Sequence, residues 1–248
     1  MDPENPLPGY RPEPRHTLGG KLKNIYIWRA PDDTLVLREV QQEQAQTEEV
    51  MAFNCAQWGY DPKEMSVRST EERVAFGEQA FQAGLRVLQP TLLSDGSVQF
   101  PYLEGANVYS EFLRSADQAD GEKKIHELFS DIEAAHGKDI VYGDRWPDNI
   151  LIDPVRGVVH IDFDLKYGVD GKELEIAQLI LYTLALGSTD AQSKSRYLDV
   201  VANELAASSI AYKSERVLHF LKTRTQMAPH YAHLAPLIEE LRSRLGWS

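Results

Sequence analysis

The sequence predicts an α+β chain in two lobes, a small β-rich N-terminal lobe and a mainly helical C-terminal lobe. Three observations carry this. Short apolar runs separated by turn residues occupy most of the chain up to Leu103; apolar residues at the helical period take over from Ile125; and one strand–turn–strand segment interrupts the helices between Asp139 and Asp164.

Composition narrows the function classes. The chain has 248 residues, 42% of them hydrophobic, which suits a folded protein with a real core. Its 26 Lys and Arg against 38 Asp and Glu leave a net charge of -12, so a broad phosphate-binding surface is not expected, nor is nucleic acid or an anionic membrane as a partner. No run approaches the ~18–20 uncharged apolar residues of a membrane span; the nearest is Ile176 to Leu186. The charged, proline-rich start has no apolar stretch of the signal-peptide kind, and a cytoplasmic location is the expectation. Cys55 is the only cysteine, which excludes an internal disulfide and a cysteine zinc site and reads as a small half-buried side chain.

The elements follow in order. Five prolines in the first fourteen residues predict an extended arm over residues 1–16 rather than a packed element. Ile25 to Trp28 and Leu35 to Val40 flank Pro31-Asp32-Asp33 and predict a β-hairpin. Residues 41–57 are helix-prone, and Ser69-Thr70-Glu71-Glu72 opens a second helix that Gly84 stops. Val87 to Leu93 and Val98 to Leu103, joined through Ser94-Asp95-Gly96, are strand candidates. Ile125, Leu128, Phe129, Ile132 and Ala135 recur at helical spacing, and Leu174 to Leu186 is apolar nearly all round, as a buried helix is. Leu103-Glu104-Gly105 marks a hinge between an N-terminal lobe of residues 17–103 and a C-terminal lobe of residues 104–248.

Chemistry concentrates in one segment. Asn149 to Asp153 and Val158 to Asp162 are short apolar runs around Pro154-Val155-Arg156-Gly157, which predicts an antiparallel hairpin. A symmetric register sets Asn149 opposite Asp162, with Cβ atoms roughly 5 Å apart. An amide oxygen and a carboxylate so placed suit Mg²⁺, which takes few protein oxygens and keeps phosphates and waters for the rest. Asp144 lies in a loop within reach of the same region, where a carboxylate can orient a nucleophilic hydroxyl.

The run YGDRWPDNILID followed by HIDFD resembles the catalytic loop and metal-binding segment of the protein-kinase-like superfamily. The longer stretch AAHGKDIVYGDRWPDNILID is similar to small atypical kinases such as the Rio type and to the aminoglycoside and fructosamine phosphotransferases. The resemblance implies a two-lobed kinase-like fold with ATP between the lobes, Mg²⁺ as cofactor, and transfer of the γ-phosphoryl group to a hydroxyl of a protein or small-molecule acceptor. It implies that Asp144 is the catalytic Asp, that Asn149 and Asp162 are metal ligands, and that Tyr142 stands where the family has His. Upstream, Gly19-Gly20 resembles a degenerate phosphate-covering loop and FPYLEG the hinge. Arg38 takes the position of the ATP-binding lysine, paired with Glu72 or Glu78, and Lys21 or Lys23 is the alternative source of that charge; arginine and lysine are not interchangeable there. The resemblance spans residues 17–186.

Several residues keep two readings. Asp148 and Asp153 read as solvated loop acids, and Asp164 as a second metal contact or an exposed acid. His136 reads as a structural hydrogen-bonding residue and His160 as packing or surface. Trp146 resembles the Asp-Leu-Trp of fructosamine-type kinases or is an interface aromatic. The short connection from hinge to catalytic loop favours a macromolecular acceptor, whereas Trp146 and the missing Ala-Pro-Glu segment fit a metabolite. A pseudokinase that binds nucleotide without turnover, and an interaction domain docking through the arm, are the alternative classes.

Overall fold

A computed structural model describes residues 8–19, 23–41, 45–186 and 191–247 of a mixed α+β chain. Its first part is a five-stranded antiparallel sheet in the order β1-β2-β3-β6-β5, formed by β1 (Arg11–Gly19), β2 (Lys23–Arg29), β3 (Leu35–Gln41), β5 (Thr91–Leu92) and β6 (Val98–Pro101). The predicted hairpin is β2–β3. Asp32 Oδ1 accepts from the Thr34 hydroxyl at 2.7 Å and the Thr34 N–H at 3.2 Å, which fixes the turn. Its register sets Trp28 against Val36 and Tyr26 against Arg38. Side chains alternate along a strand, so Val36 and Arg38 share one face of the sheet while Leu37 and Glu39 share the other. Trp28, Ala30 and Val36 form a small core on the first face, with Tyr10 and Tyr26 packed against it.

The arm expected over residues 1–16 is corrected from residue 11 onward, where the chain is already β1. Proline cannot donate to a ladder, but β1 is an edge strand, and its register against β2 shifts between Pro12 and Thr17. Those two features accommodate Pro12 and Pro14. Just before the strand, the Tyr10 hydroxyl donates to Gln99 Oε1 at 2.8 Å, tying the start of the described chain across the sheet. Residues 1–7 lie outside the described residues.

Between β3 and the rest of the sheet come α1 (Ala45–Trp58), β4 (Met65–Val67) and α2 (Thr70–Gln82). The start of α2 is a capping box, in which Glu72 N–H donates to Ser69 Oγ at 3.2 Å and Ser69 N–H to Glu72 Oε2 at 2.7 Å. The strand expected over Val87 to Leu93 shrinks to β5. Pro90 interrupts it, and the backbone at Arg86 to Leu88 bonds His160 instead, through His160 N–H to Arg86 C=O at 2.8 Å and Leu88 N–H to His160 C=O at 3.3 Å.

The remainder is β7 (Asn107–Val108), α3 (Tyr109–Ser115), α4 (Gln118–His136), the hairpin strands β8 (Ile150–Asp153) and β9 (Gly157–His160), β10 (Leu165–Tyr167), α5 (Gly171–Leu186), α6 (Ala191–Ala207), α7 (Ser214–Met227) and α8 (Ala235–Leu245). Strands β7, β8 and β9 form a second antiparallel sheet, and β10 pairs with β4. The expected apolar stripe of α4 is buried, and α5 is enclosed along nearly its whole length by neighbours that include α7. Among the described residues no helix is long and apolar enough to cross a membrane. The chain just before α2, assigned by sequence to the N-terminal lobe, instead belongs to this larger core. Cys55, Trp58, Tyr60 and Met65 pack within it, α1 lies on α7, and Cys55 is fully rather than half buried, its sulfur 3.9 Å from that of Met65.

Ile180, in the middle of α5, has no exposed surface. Ile180→Ala is expected to lower stability by about 2–5 kcal/mol, the range for truncating a fully buried aliphatic side chain, measured as a shift in the urea unfolding midpoint at unchanged slope.

Candidate functional site

The loop from α4 to β8 carries the residues singled out in the sequence. It approaches β10 so closely that a Cβ at Gly143 would lie 2.2 Å from the Leu165 carbonyl oxygen; Gly143 also has φ +112°, so only glycine fits. Past it, Pro147–Asn149 form one 3-10 turn closed by Asn149 N–H to Trp146 C=O at 2.8 Å.

Beneath the loop lies Arg145, with no exposed surface. Its guanidinium donates to the carbonyls of Asp162 at 2.8 Å and Ile161 at 3.3 Å, meets His160 Nδ1 at 3.2 Å and lies 3.8 Å from Glu175 Oε1. Glu175, equally buried, accepts from Gly143 N–H at 2.6 Å and pairs with His136 Nε2 at 2.7 Å; His136 Nδ1 reaches the Tyr212 hydroxyl at 2.9 Å. On the other side, His160 Nε2 lies 3.0 Å from Asp131 Oδ2, to which the Tyr142 hydroxyl donates at 3.2 Å, and the Tyr142 and His160 rings stack at 4.4 Å. Burial holds the His160 imidazole below its ordinary range, against the opposing pull of Asp131. His136 is therefore the structural residue expected, and His160 is core rather than surface.

This base positions three side chains. Asp144 Oδ1 accepts from Gln178 Nε2 at 3.1 Å, while Gln178 Oε1 accepts from Arg145 N–H at 2.8 Å. Asn149 donates its amide NH₂ to the Asp144 carbonyl at 3.0 Å, which leaves the amide oxygen as the end able to meet a cation. The hairpin forms, but its register is one residue from the symmetric one: Ile150 opposes His160 and Asp153 opposes Gly157, so Asn149 meets Ile161 rather than Asp162, its carbonyl accepting from Ile161 N–H at 3.0 Å. The turn sets this. Asp153 Oδ1 accepts from the N–H groups of Val155 at 2.9 Å and Arg156 at 2.6 Å, and Gly157 at φ +79° closes a three-residue loop. Asp162 lies one step past the ladder with φ +62°, a left-handed conformation. Its charge is nonetheless felt at Asp144. The Asp144 carboxyl is pushed up to about 6 chiefly by burial, with Asp162 adding and Arg145, Arg224 and the Gln178 hydrogen bond opposing.

Other expected site residues fall elsewhere. The structure does not bring Arg38 and Glu72 together. Arg38 lies on the sheet face away from α2, its Nε 2.9 Å from Ser97 Oγ, its guanidinium paired with Asp95 and stacked 5.2 Å over Trp28. Glu72 is spent on the α2 capping box, and Glu78 accepts from Gln82 at 3.2 Å on the exposed side of the helix. One residue of strand parity explains the difference, because Glu39, not Arg38, faces α2 and pairs with Arg73 there. Gly19 ends β1, and Gly20 and Lys21 lie outside the described residues. Asp148 is an exposed acid bonded to the Ser110 hydroxyl at 2.6 Å, and Asp153 is buried in its turn. Asp164 is not exposed but buried against Arg73 at 2.8 Å. Trp146 remains partly exposed, edge-on to Tyr182 at 4.8 Å. A cleft of about 410 Å³ between α2 and β10 is lined by Arg68, Glu72, Phe76, Gln79, Lys166 and Tyr167, and by none of Asp144, Asn149 and Asp162.

Sequence reasoning missed Glu175 and Gln178. Their signal was present: they are polar breaks three residues apart in the apolar run of α5, hence on one face. No protein-family model matches the chain, and no curated protein matches it. Among the described residues no group of three or more His, Cys, Asp or Glu side chains forms a metal site. Asn149 and Asp162 carry oxygen donors of the type a hard cation takes alongside phosphate and water.

A carboxyl raised above its unfolded value destabilises the fold while ionised, and that cost fades as pH falls through about 6. Asp144→Asn is therefore expected to stabilise the protein in metal-free buffer at pH 7.5 by roughly 1–2 kcal/mol after allowance for solvent screening at this half-buried residue. The gain should shrink towards pH 5. Urea midpoints of both proteins across that range check it.

Proposed function

We propose that this chain is an ATP-dependent phosphotransferase of two-lobed, kinase-like architecture that transfers the γ-phosphoryl group to a hydroxyl of a protein or small-molecule acceptor. The single observation that supports it best is the arrangement around Asp144: a loop braced on Arg145 ties the Asn149 amide to the Asp144 backbone, and the Asp144 carboxylate feels the charge of Asp162.

Each residue has a task it can perform. Asp144, held by Gln178 and pushed up to about 6, is a base whose affinity for a proton lies near neutral pH, as an acceptor of the hydroxyl proton requires. Asn149, its NH₂ committed to the Asp144 carbonyl, and Asp162 present oxygens for Mg²⁺. Mg²⁺, when bound, supplies neutralisation of phosphate charge. The protein's part is then positioning and electrostatic preorganisation. Trp146, exposed beside the loop, offers a surface against which an acceptor can rest. A cytoplasmic setting, where ATP is abundant, fits this reading.

A second reading, a nucleotide-binding protein without turnover, is favoured by one observation. The β3 side chain that faces α2 is the carboxylate Glu39, and Arg38 is turned to the opposite face. The sequence offers Lys21 or Lys23 as the other source of that charge.

A thermal-shift titration with ATP, with and without Mg²⁺, tests the proposal. A native-state ligand stabilises by RT ln(1 + [L]/Kd), about 2.7 kcal/mol at a hundredfold excess over Kd. A Mg²⁺-dependent rise in Tm that Asp162→Ala abolishes is expected. No shift at millimolar ATP overturns the proposal, and a shift without phosphoryl transfer to any acceptor or to water favours the second reading.

A further inference from the structure

Arg73 sits in the second turn of α2, buried, and a single guanidinium nitrogen of it serves two carboxylates from distant parts of the chain. One is Glu39 on β3, in the middle of the N-terminal sheet; the other is Asp164, at 2.8 Å. Asp164 is two residues past Asp162, and its N–H points at Asp162 Oδ1 at 3.4 Å. The same short segment is gripped from the other end of the α2 entry by Arg68. Arg68 N–H donates to the Asp164 carbonyl at 2.8 Å, and its guanidinium to the carbonyls of Phe163 at 2.9 Å and Leu165 at 2.5 Å. The left-handed conformation of Asp162 is thus held between Arg145, which takes its carbonyl, and an anchor that reaches back to the sheet through Arg73. Such a conformation persists only where its surroundings over-determine it.

We propose that Arg73 is a positioning residue: through Asp164 it sets where the Asp162 carboxylate stands, and so links the seating of α2 against β3 to cation binding at Asp162. The inference rests on the phosphotransferase reading. By linkage, whatever tightens the Glu39–Arg73–Asp164 bridge tightens cation binding, and a bound cation in turn holds α2 on the sheet.

Electrostatics and positioning make opposite forecasts. Arg73 is a cation near the candidate cation site, so deleting its charge alone would favour Mg²⁺ by removing repulsion. Loss of positioning would weaken Mg²⁺. The double variant Arg73→Gln with Glu39→Gln removes one charge of each sign, leaves no extra unpaired carboxylate on β3 and keeps the local net charge. The Mg²⁺ concentration giving half of the Mg²⁺-dependent thermal shift at fixed ATP is measured for wild type, this double variant and Arg73→Lys, alongside the ATP shift in EDTA. Expected is a rise of about tenfold or more for the double variant, the scale on which partners behind metal ligands act. The EDTA shift should be unchanged and Arg73→Lys should stay close to wild type. An unchanged or lower Mg²⁺ requirement in the double variant overturns the inference alone. Loss of both shifts together in a cooperatively folded double variant also overturns it, since that marks a merely structural bridge. Absence of any ATP shift in wild type overturns the phosphotransferase reading and this inference with it.

Discussion

The structure hangs on a guanidinium sealed inside it. Arg145 has no contact with solvent, and removing such a charge from water costs several kcal/mol unless its donors are met. Here Nη1 and Nη2 are met by a histidine and two backbone carbonyls of β9 and its continuation, while Nε, without a hydrogen-bond partner, faces the Glu175 carboxylate of α5 at 3.8 Å. The loop cannot drift without stranding a buried charge. That constraint passes outward: Glu175 fixes the Gly143 N–H and His136, His160 fixes Asp131 and Tyr142, and Gln178 stands between the Arg145 backbone and the Asp144 carboxylate. Buried pairs of this kind add little net stability but select one arrangement over its competitors, which is what a site held to a fraction of an ångström needs.

Two acids on that frame, Asp144 and Asp162, repel one another. Asp144 is raised chiefly by burial and partly by Asp162, and the fold tolerates this at the loop that Arg145 braces. The rigidity of the base and the strain at the rim are two sides of one arrangement. Left-handed backbone at Asp162 and glycine at position 143 both occur where the loop, β10 and the end of the hairpin crowd together.

Local signals carried much of the fold. The hairpin around Asp32, the capping box at Ser69, the stripe of α4 and the wholly apolar α5 all form where propensity and periodicity place them. What escaped depended on counting by one or on distant contacts. A turn closed by the Asp153 carboxylate shifted the β8–β9 hairpin by a residue, and strand parity turned Arg38 away from α2 and Glu39 towards it. Prolines argued against a strand at Arg11–Gly19, yet an edge position with a register shift absorbs them. Nothing local announces that α1 rests on α7 or that Arg73 reaches Asp164, because each contact is made by chain that is remote in sequence. Within the candidate site, Asp144, Asn149 and Asp162 were legible as types in a pattern, whereas the side chains that hold them were not.

The pairing of β4 with β10 also sets a timetable for synthesis. Met65 to Val67 find their partners only at Leu165 to Tyr167, and the packing of α1 waits still longer, for α7. At roughly 5–20 residues per second a nascent chain would hold β4 unpaired for some 5–20 s after it leaves the ribosome, and α1 for longer. The early sheet, whose last strand ends at Pro101, can close in that interval. The apolar side of α1 and the free edge of β4 cannot, and a chaperone would have them to grip until the C-terminal helices arrive.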